Sequence, residues 1–142
     1  MPDSAASIVA RLAAATRASV EVRTDAGAGG AGEGAVTVER DGDVLVVSEA
    51  GEWTFGGRPI RFRATTRWQI DGDTLVVDHV RQGEPAHLVL EREPGVRWRS
   101  REAWRCGSDR YEVAVEVDPE AVTVVWVISG PCKGSHIATR YR

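Results

Sequence analysis

The sequence predicts an all-β fold, an antiparallel up-and-down β-barrel of about ten strands with a short N-terminal helix. Most of the chain consists of short segments in which apolar and polar residues alternate, as in strands with one buried face. Two-residue turn signatures such as Asp41-Gly42 and Asp71-Gly72 separate these segments, and turns this short make consecutive strands antiparallel. A meander of this length leaves two exposed edges unless it closes, so we expect a closed barrel.

The first residues form the one segment with a helical pattern. Ile8 and Leu12 recur at helical spacing, and Asp3 or Ser4 is suited to be the N-cap. A glycine-rich run follows, with five glycines between Ala26 and Gly34, and it is expected to be a mobile loop. We therefore divide the chain into an N-terminal helix, residues 1–17, and a single barrel domain, residues 18–142.

One predicted strand, Val96 to Arg105, has two very different faces. Four arginines occupy one face, so that face is exposed and the opposite face points into the barrel. The inward face carries Glu102 between Trp98 and Trp104, where an ionised carboxylate is costly unless a partner stabilises it. We expect Glu102 to be a general acid or base in an aromatic pocket. The alternative is a structural carboxylate, paired with an arginine or standing in water at the barrel mouth.

The aromatic residues predict a barrel lumen that encloses an apolar or planar molecule with a few polar anchors. Glu102 and Tyr111 are the predicted catalytic residues. The predicted ligand-binding residues are Trp53, Trp68, Trp98, Trp104, Trp126 and His87.

No metal site and no cofactor are predicted. His79 and His87 lie on consecutive strands, but the period of two places Asp78 on the face opposite His79, so a third convergent ligand is missing. His136 is a poor candidate for a haem ligand, because it shares its strand face with arginines and that face is expected to point outward.

Charge and composition exclude several classes of partner. The net charge of −3 argues against a general nucleic-acid binder, and no stretch is long and apolar enough for a membrane span. Because the first residues lack the pattern of a signal peptide, we expect a cytoplasmic protein with reduced cysteines. Some strands, above all Val122 to Ile128, are apolar on both faces. Either the N-terminal helix or a second subunit should cover them, which suggests a homodimer.

The C-terminal third of the chain contains a more specific set of residues, namely Cys106-Gly107-Ser108-Asp109-Arg110-Tyr111, Trp126-Val127, Gly130-Pro131-Cys132-Lys133 and Thr139-Arg140-Tyr141-Arg142. This set resembles the pattern of the bacterial family of unknown function DUF6314. Looser matches upstream, in order, are Gly34-Ala35, Glu49-Ala50-Gly51, Arg67-Trp68 and Gly83-Glu84-Pro85-Ala86-His87. The resemblance implies a calycin-like or lipocalin-like barrel and no particular activity. The chain departs from the family pattern at Trp104, where the family usually has a histidine.

Two classes of function fit these observations. The first is a small cofactor-independent enzyme, such as a cyclase or isomerase of bacterial specialised metabolism, with Glu102 and Tyr111 carrying the chemistry. The second is a barrel that only binds or carries its ligand. The two classes differ in whether the carboxylate of Glu102 faces an open cavity.

Overall fold

The computed structural model describes residues 4–80, 83–94, 97–131 and 133–142, which form one short helix and a set of antiparallel strands. The elements are α1 (Ala5–Ala13), β1 (Arg17–Thr24), β2 (Gly29–Asp41), β3 (Val44–Phe55), β4 (Arg58–Asp71), β5 (Thr74–His79), β6 (Ala86–Arg92), β7 (Arg97–Ser100), β8 (Trp104–Cys106), β9 (Asp109–Val117), β10 (Val122–Gly130) and β11 (Lys133–Tyr141).

Ten of these strands form a closed antiparallel barrel. Its strands follow the order β10, β11, β1 to β7 and β9, and β9 pairs again with β10 to complete the ring. The short strand β8 lies outside this ring and pairs only with β9. The closure removes the two free edges of an open meander. The prediction of an antiparallel barrel with a short helix is confirmed.

The glycine-rich run belongs to strand β2 from Gly29 onward, and only residues 26–28 lie in the turn before it, so the prediction of a mobile loop was wrong for most of the run. Gly32 lies opposite Trp53 of β3, and a Cβ atom on Gly32 would lie 2.3 Å from the carbonyl oxygen of Glu52. A Cβ on Gly34 or on Gly51 would also collide with backbone of the facing strand. These glycines allow β2 and β3 to approach more closely than side chains permit, as at a sharply bent corner of a barrel.

Helix α1 packs against one end of the barrel. Ser4 caps it by accepting a hydrogen bond from the backbone N–H of Ser7. The helix contacts β3, β4 and β10, and Ile8 and Leu12 are fully buried in the same core as the strands. Arg11 donates a hydrogen bond of 2.6 Å to the carbonyl oxygen of Asp118, in the turn between β9 and β10. The helix therefore covers the barrel end that carries this turn.

The part of the barrel next to α1 is a filled core. Its largest fully buried side chain is Trp68, whose Nε1 donates a hydrogen bond of 2.9 Å to the hydroxyl of Thr66. Leucines and valines of β3, β5, β6 and β9 surround it. In the described ranges, no helix is both long and apolar enough to span a membrane.

The outer face of β10 is not covered by the helix. Ile8 and Leu12 belong to the core that also contains the inward residue Val124. On the outer face, Val125 is half-buried and Val127 is 39% exposed. Burial of this outer face in a homodimer stays a prediction.

A homodimer through β10 should depend on Val127. Sedimentation velocity at micromolar concentration should give a dimer for the parent protein and a monomer for Val127→Glu, because a charge in an apolar interface is unfavourable. A parent protein that sediments as a monomer over this concentration range contradicts the prediction.

The close approach of β2 and β3 predicts that Gly32→Ala destabilises the barrel by about 2–3 kcal/mol, since a methyl group there overpacks against backbone that cannot move independently. Urea unfolding measures this change. The control is Ala31→Val on the same strand, at an exposed position, where we expect a change of less than about 0.5 kcal/mol. Equal effects of the two substitutions would refute the steric explanation.

Candidate functional site

The barrel contains a cavity of about 350 Å³ that begins where the filled core ends. Its walls come largely from β4 and β11, with further residues from β3 and β10. Most of the lining is apolar or aromatic. The lining residues are Val20, Glu49, Trp53, Phe62, Arg63, Ala64, Thr66, His79, Tyr111, Trp126, Ile128, Ile137, Thr139 and Tyr141.

Glu49 is the acidic residue of this wall. On β3 the buried positions alternate from Leu45 through Val47 to Glu49, so the same period of two that buries the aliphatic residues buries the carboxyl group. Glu49 is 7% exposed, and its Oε2 has no hydrogen-bond partner among the described residues. Burial raises the pKa of Glu49 above its ordinary value, and a hydrogen bond from Tyr141 offsets part of that rise.

Tyr141 is the partner of Glu49 and the last residue of β11. It is 5% exposed, and its hydroxyl is hydrogen-bonded to the Glu49 carboxyl. Burial, the negative charge of Glu49 and this hydrogen bond together hold the pKa of Tyr141 well above its ordinary value. Tyr141 is therefore a neutral hydrogen-bond donor at physiological pH.

Aromatic rings form much of the remaining wall. Trp53 packs against Phe62 with ring centroids 5.4 Å apart. His79 and Trp126 pack edge to face, also with ring centroids 5.4 Å apart. The indole Nε1 of Trp53 is buried and, within the described part of the chain, has no hydrogen-bond partner. The wall thus combines flat apolar surfaces with two unsatisfied polar atoms, on Trp53 and on Glu49.

The structure contradicts the predicted position of Glu102. The predicted strand is interrupted, because β7 ends at Ser100 and β8 begins at Trp104. Glu102 lies in the bend between them and is exposed, away from the cavity lining. The strict period of two fails at this bend, so a carboxylate assigned to the inner face lies on the surface. The prediction that Glu102 is buried between two indoles was wrong.

The other predicted residues divide into two groups. Tyr111, Trp53 and Trp126 line the cavity, and their roles in binding or catalysis stay predictions. Trp68 and Trp98 are buried in the core outside the lining.

Two further predicted ligand-binding residues also lie outside the lining. Trp104 packs edge to face against Tyr111, with centroids 5.4 Å apart, and so supports the wall from behind. His87 is exposed on the barrel exterior and its Nδ1 lies 2.5 Å from a carboxylate oxygen of Asp78. His87 therefore lies outside the lining of this cavity, and its role in ligand binding stays a prediction.

Glu49 and Tyr141 were missed as site residues, although the sequence contains a signal for both. Strand β3 is continuous from Val44 to Phe55, so the period of two places Glu49 and Trp53 on one face. Tyr141 lies within the C-terminal motif of the resemblance, and alternation from Thr139 already places it inward.

No group of three or more histidine, cysteine, aspartate or glutamate side chains in the described ranges is arranged to hold a metal ion. The polar groups of the cavity instead suit hydrogen bonding to an organic molecule. The fold and the cavity together define a class of protein, a closed β-barrel with an internal, largely aromatic pocket.

The chain belongs to the family of unknown function DUF6314, whose sequence profile matches residues 13–142. A comparison with curated proteins finds no match. Among solved structures, the chain is similar to that of a redesigned beta barrel, mFAP1, bound to DFHBI, with 19% sequence identity and a TM-score of 0.48. That alignment covers 96% of this chain and 100% of the other.

The buried carboxyl predicts a pH-dependent stability. Because the pKa of Glu49 is raised in the folded state, its contribution to the free energy of unfolding is fully present below about pH 4.5 and is lost as the pH rises through the folded-state pKa. Glu49→Gln cannot titrate. We therefore expect the variant to gain stability relative to the parent as the pH rises from about 4.5 to the folded-state pKa of Glu49, by at most ~1.4 kcal/mol for each pH unit, with no further gain above that pKa.

Urea unfolding between pH 4 and pH 8 measures this difference, in which the titrations common to both proteins cancel. The matched control is Glu52→Gln, an exposed glutamate of the same strand, for which a flat difference is expected. A flat difference for Glu49→Gln as well would show that this carboxyl is not raised by burial.

Proposed function

We propose that this barrel binds a small apolar or aromatic molecule in its cavity. The observation that carries the proposal is the buried Oε2 of Glu49, which lies in an aromatic wall and has no hydrogen-bond partner among the described residues. A buried polar atom without a partner costs about 1–3 kcal/mol. A fold retains such a cost where the atom serves a ligand.

The size of the cavity limits the ligand. A volume of about 350 Å³ is near the lower end of small-molecule sites, which are roughly 300–1,000 Å³. A molecule of two fused or linked rings fills such a space. Trp53, Phe62 and Trp126 supply flat surfaces for stacking at a small cost in conformational entropy.

A cofactor-independent isomerase or cyclase is the second candidate function, and the buried carboxyl favours it. A carboxyl that is shielded from water titrates closer to neutral pH and can both give and take a proton. The carboxyl in this position is Glu49, which replaces the exposed Glu102 in our mechanism. His79 is a second titratable group of the wall, and Tyr111 adds a hydroxyl.

An isomerisation needs two linked proton transfers. In this scheme the ligand is a β,γ-unsaturated ketone, and Glu49 donates its proton to the carbonyl oxygen while His79 accepts a proton from the α carbon, which yields a dienol. His79 then returns its proton to the γ carbon and Glu49 takes back the hydroxyl proton, which gives the conjugated ketone without any redox partner. A carrier protein would bind the same molecule and leave its carbon-bound protons in place.

Binding is tested with N-phenyl-α-naphthylamine, a neutral two-part aromatic probe whose fluorescence rises in apolar surroundings. We expect saturable binding to the parent protein. Ala64→Phe should weaken binding at least tenfold, because Ala64 lines the cavity and the added ring fills part of it. The matched control, Ala50→Phe, is exposed on β3 and should bind like the parent. Equal binding by a folded Ala64→Phe variant would place the probe elsewhere and contradict the proposal.

Catalysis is tested with acetonaphthone in deuterium oxide. An isomerase that forms an enol should exchange the methyl protons of this ketone for deuterium faster than buffer does, and proton NMR follows the loss of signal. Glu49→Gln should bind the ketone and lose the exchange. Binding without accelerated exchange in the parent assigns the barrel to the carrier class.

A further inference from the structure

Two buried polar atoms of the cavity wall have no hydrogen-bond partner among the described residues, and both lie on the inner face of β3. They are Oε2 of Glu49 and Nε1 of Trp53. Both residues line the cavity. Four residues along a strand correspond to about 13 Å between their Cα atoms, so a ligand that meets both side chains extends along β3.

The protonation state of Glu49 decides which ligand chemistry fits. The charged or titratable residues of the wall besides Glu49 are Arg63 of β4, His79 of β5, Tyr111 of β9 and Tyr141 of β11. Arg63 alternates with the inward residues of β4 and is exposed. Among the described ion pairs, none joins Glu49 to Arg63 or to another cation. Burial without a cation partner among the described ion pairs raises the pKa of Glu49 and favours the neutral acid over the carboxylate.

The carboxyl group of a neutral Glu49 carries its proton on one of its two oxygens. Tyr141 donates its hydroxyl hydrogen to the carboxyl group, and the carbonyl oxygen is the better acceptor of the two oxygens of the acid, so we assign it this bond. Oε2 has no partner among the described residues and is left to carry the proton. It then acts as a donor that faces the cavity. Trp53 Nε1–H can only be a donor, so both unsatisfied groups offer hydrogen.

We propose that the ligand is a neutral, flat molecule with a carbonyl oxygen that accepts a hydrogen bond from Glu49, and a second acceptor that meets the indole N–H of Trp53. This inference rests on the proposed function, because it assumes that the cavity is the binding site. It adds the chemical class of the ligand. A quinone-like compound has both acceptors and an aromatic ketone has the first of them, whereas an aliphatic hydrocarbon has neither and a cationic amine offers a donor instead.

The test compares naphthalenes that share one ring system and differ in one substituent, each measured by displacement of N-phenyl-α-naphthylamine. The compounds are acetonaphthone with a carbonyl acceptor, ethylnaphthalene with no polar group, and naphthylmethylamine with a cationic donor, all substituted at the alpha position. In the parent protein we expect acetonaphthone to bind about tenfold more tightly than ethylnaphthalene, the value of one buried hydrogen bond.

Variants of Glu49 assign that preference to its carboxyl group. Glu49→Leu removes the donor and should reduce the ketone preference to less than about threefold. Glu49→Gln should keep most of it, because its amide N–H can donate to the same carbonyl. Glu52→Leu, at an exposed position of the same strand, is the matched control and should leave the preference unchanged.

Infrared spectroscopy of bound acetonaphthone supplies a second readout. Donation from Glu49 should move the carbonyl stretch to lower frequency in the parent than in Glu49→Leu. The ketone preference of the parent should also decrease as the pH rises and Glu49 loses its proton, while Glu49→Gln should show no such decrease.

The possible results separate the two proposals. If naphthylmethylamine binds most tightly of the three compounds and this binding depends on Glu49, the cavity binds cations, and the proposal of a hydrogen-bond-accepting ligand is overturned. Equal binding of the ketone and the hydrocarbon would overturn the role of Glu49 as donor and leave an apolar cavity. Absence of any saturable binding of N-phenyl-α-naphthylamine would instead overturn the proposed function itself.

Discussion

Pairing of β9 with β10 is the constraint on which the rest of this structure depends. It completes the ring of ten strands, so every strand of the ring has two hydrogen-bonded neighbours and one face turned inward. Once the ring is closed, the inward residues must fill or enclose a fixed volume. The helix and the large side chains of the core occupy the volume at one end. The remaining volume becomes the cavity, because the residues around it cannot reach across.

Two features of β2 and β3 bring the site to its position. The inward glycines allow the two backbones to approach closely, and this contact bends the sheet. On the same stretch, β3 carries Glu49 and Trp53 into the cavity. A glutamate on a buried face reduces stability, since its ionised form loses hydration. Tyr141 offsets only part of that cost. Functional sites commonly carry such local costs, whereas an apolar residue at this position would serve stability alone.

The sequence was informative about the site where alternation held and misleading where it did not. Trp53, Trp126 and Tyr111 were predicted as aromatic residues of the lumen and do line the cavity. Glu102 was selected by its strand face and is exposed, because the bend after β7 interrupts the alternation, and no turn residue in the sequence marks this bend. Trp68 and Trp98 face inward as expected but lie in the filled core. The alternation of apolar and polar residues predicts which face of a strand a side chain lies on. It does not predict whether that side chain lies at the filled end or the open end of the barrel.

The sequence by itself determined the strand-and-turn pattern, the antiparallel order, the amphipathic helix and the side of each regular strand that is buried. These properties depend on local periodicity and turn chemistry, which neighbouring residues encode directly. Only the tertiary structure decided that the glycine-rich run pairs as a strand, which inward residues surround open space, and that Glu49 meets Tyr141. These properties depend on contacts between residues as far apart in sequence as β3 and β11. Such contacts exist only after the ring has closed and the strand registers are set.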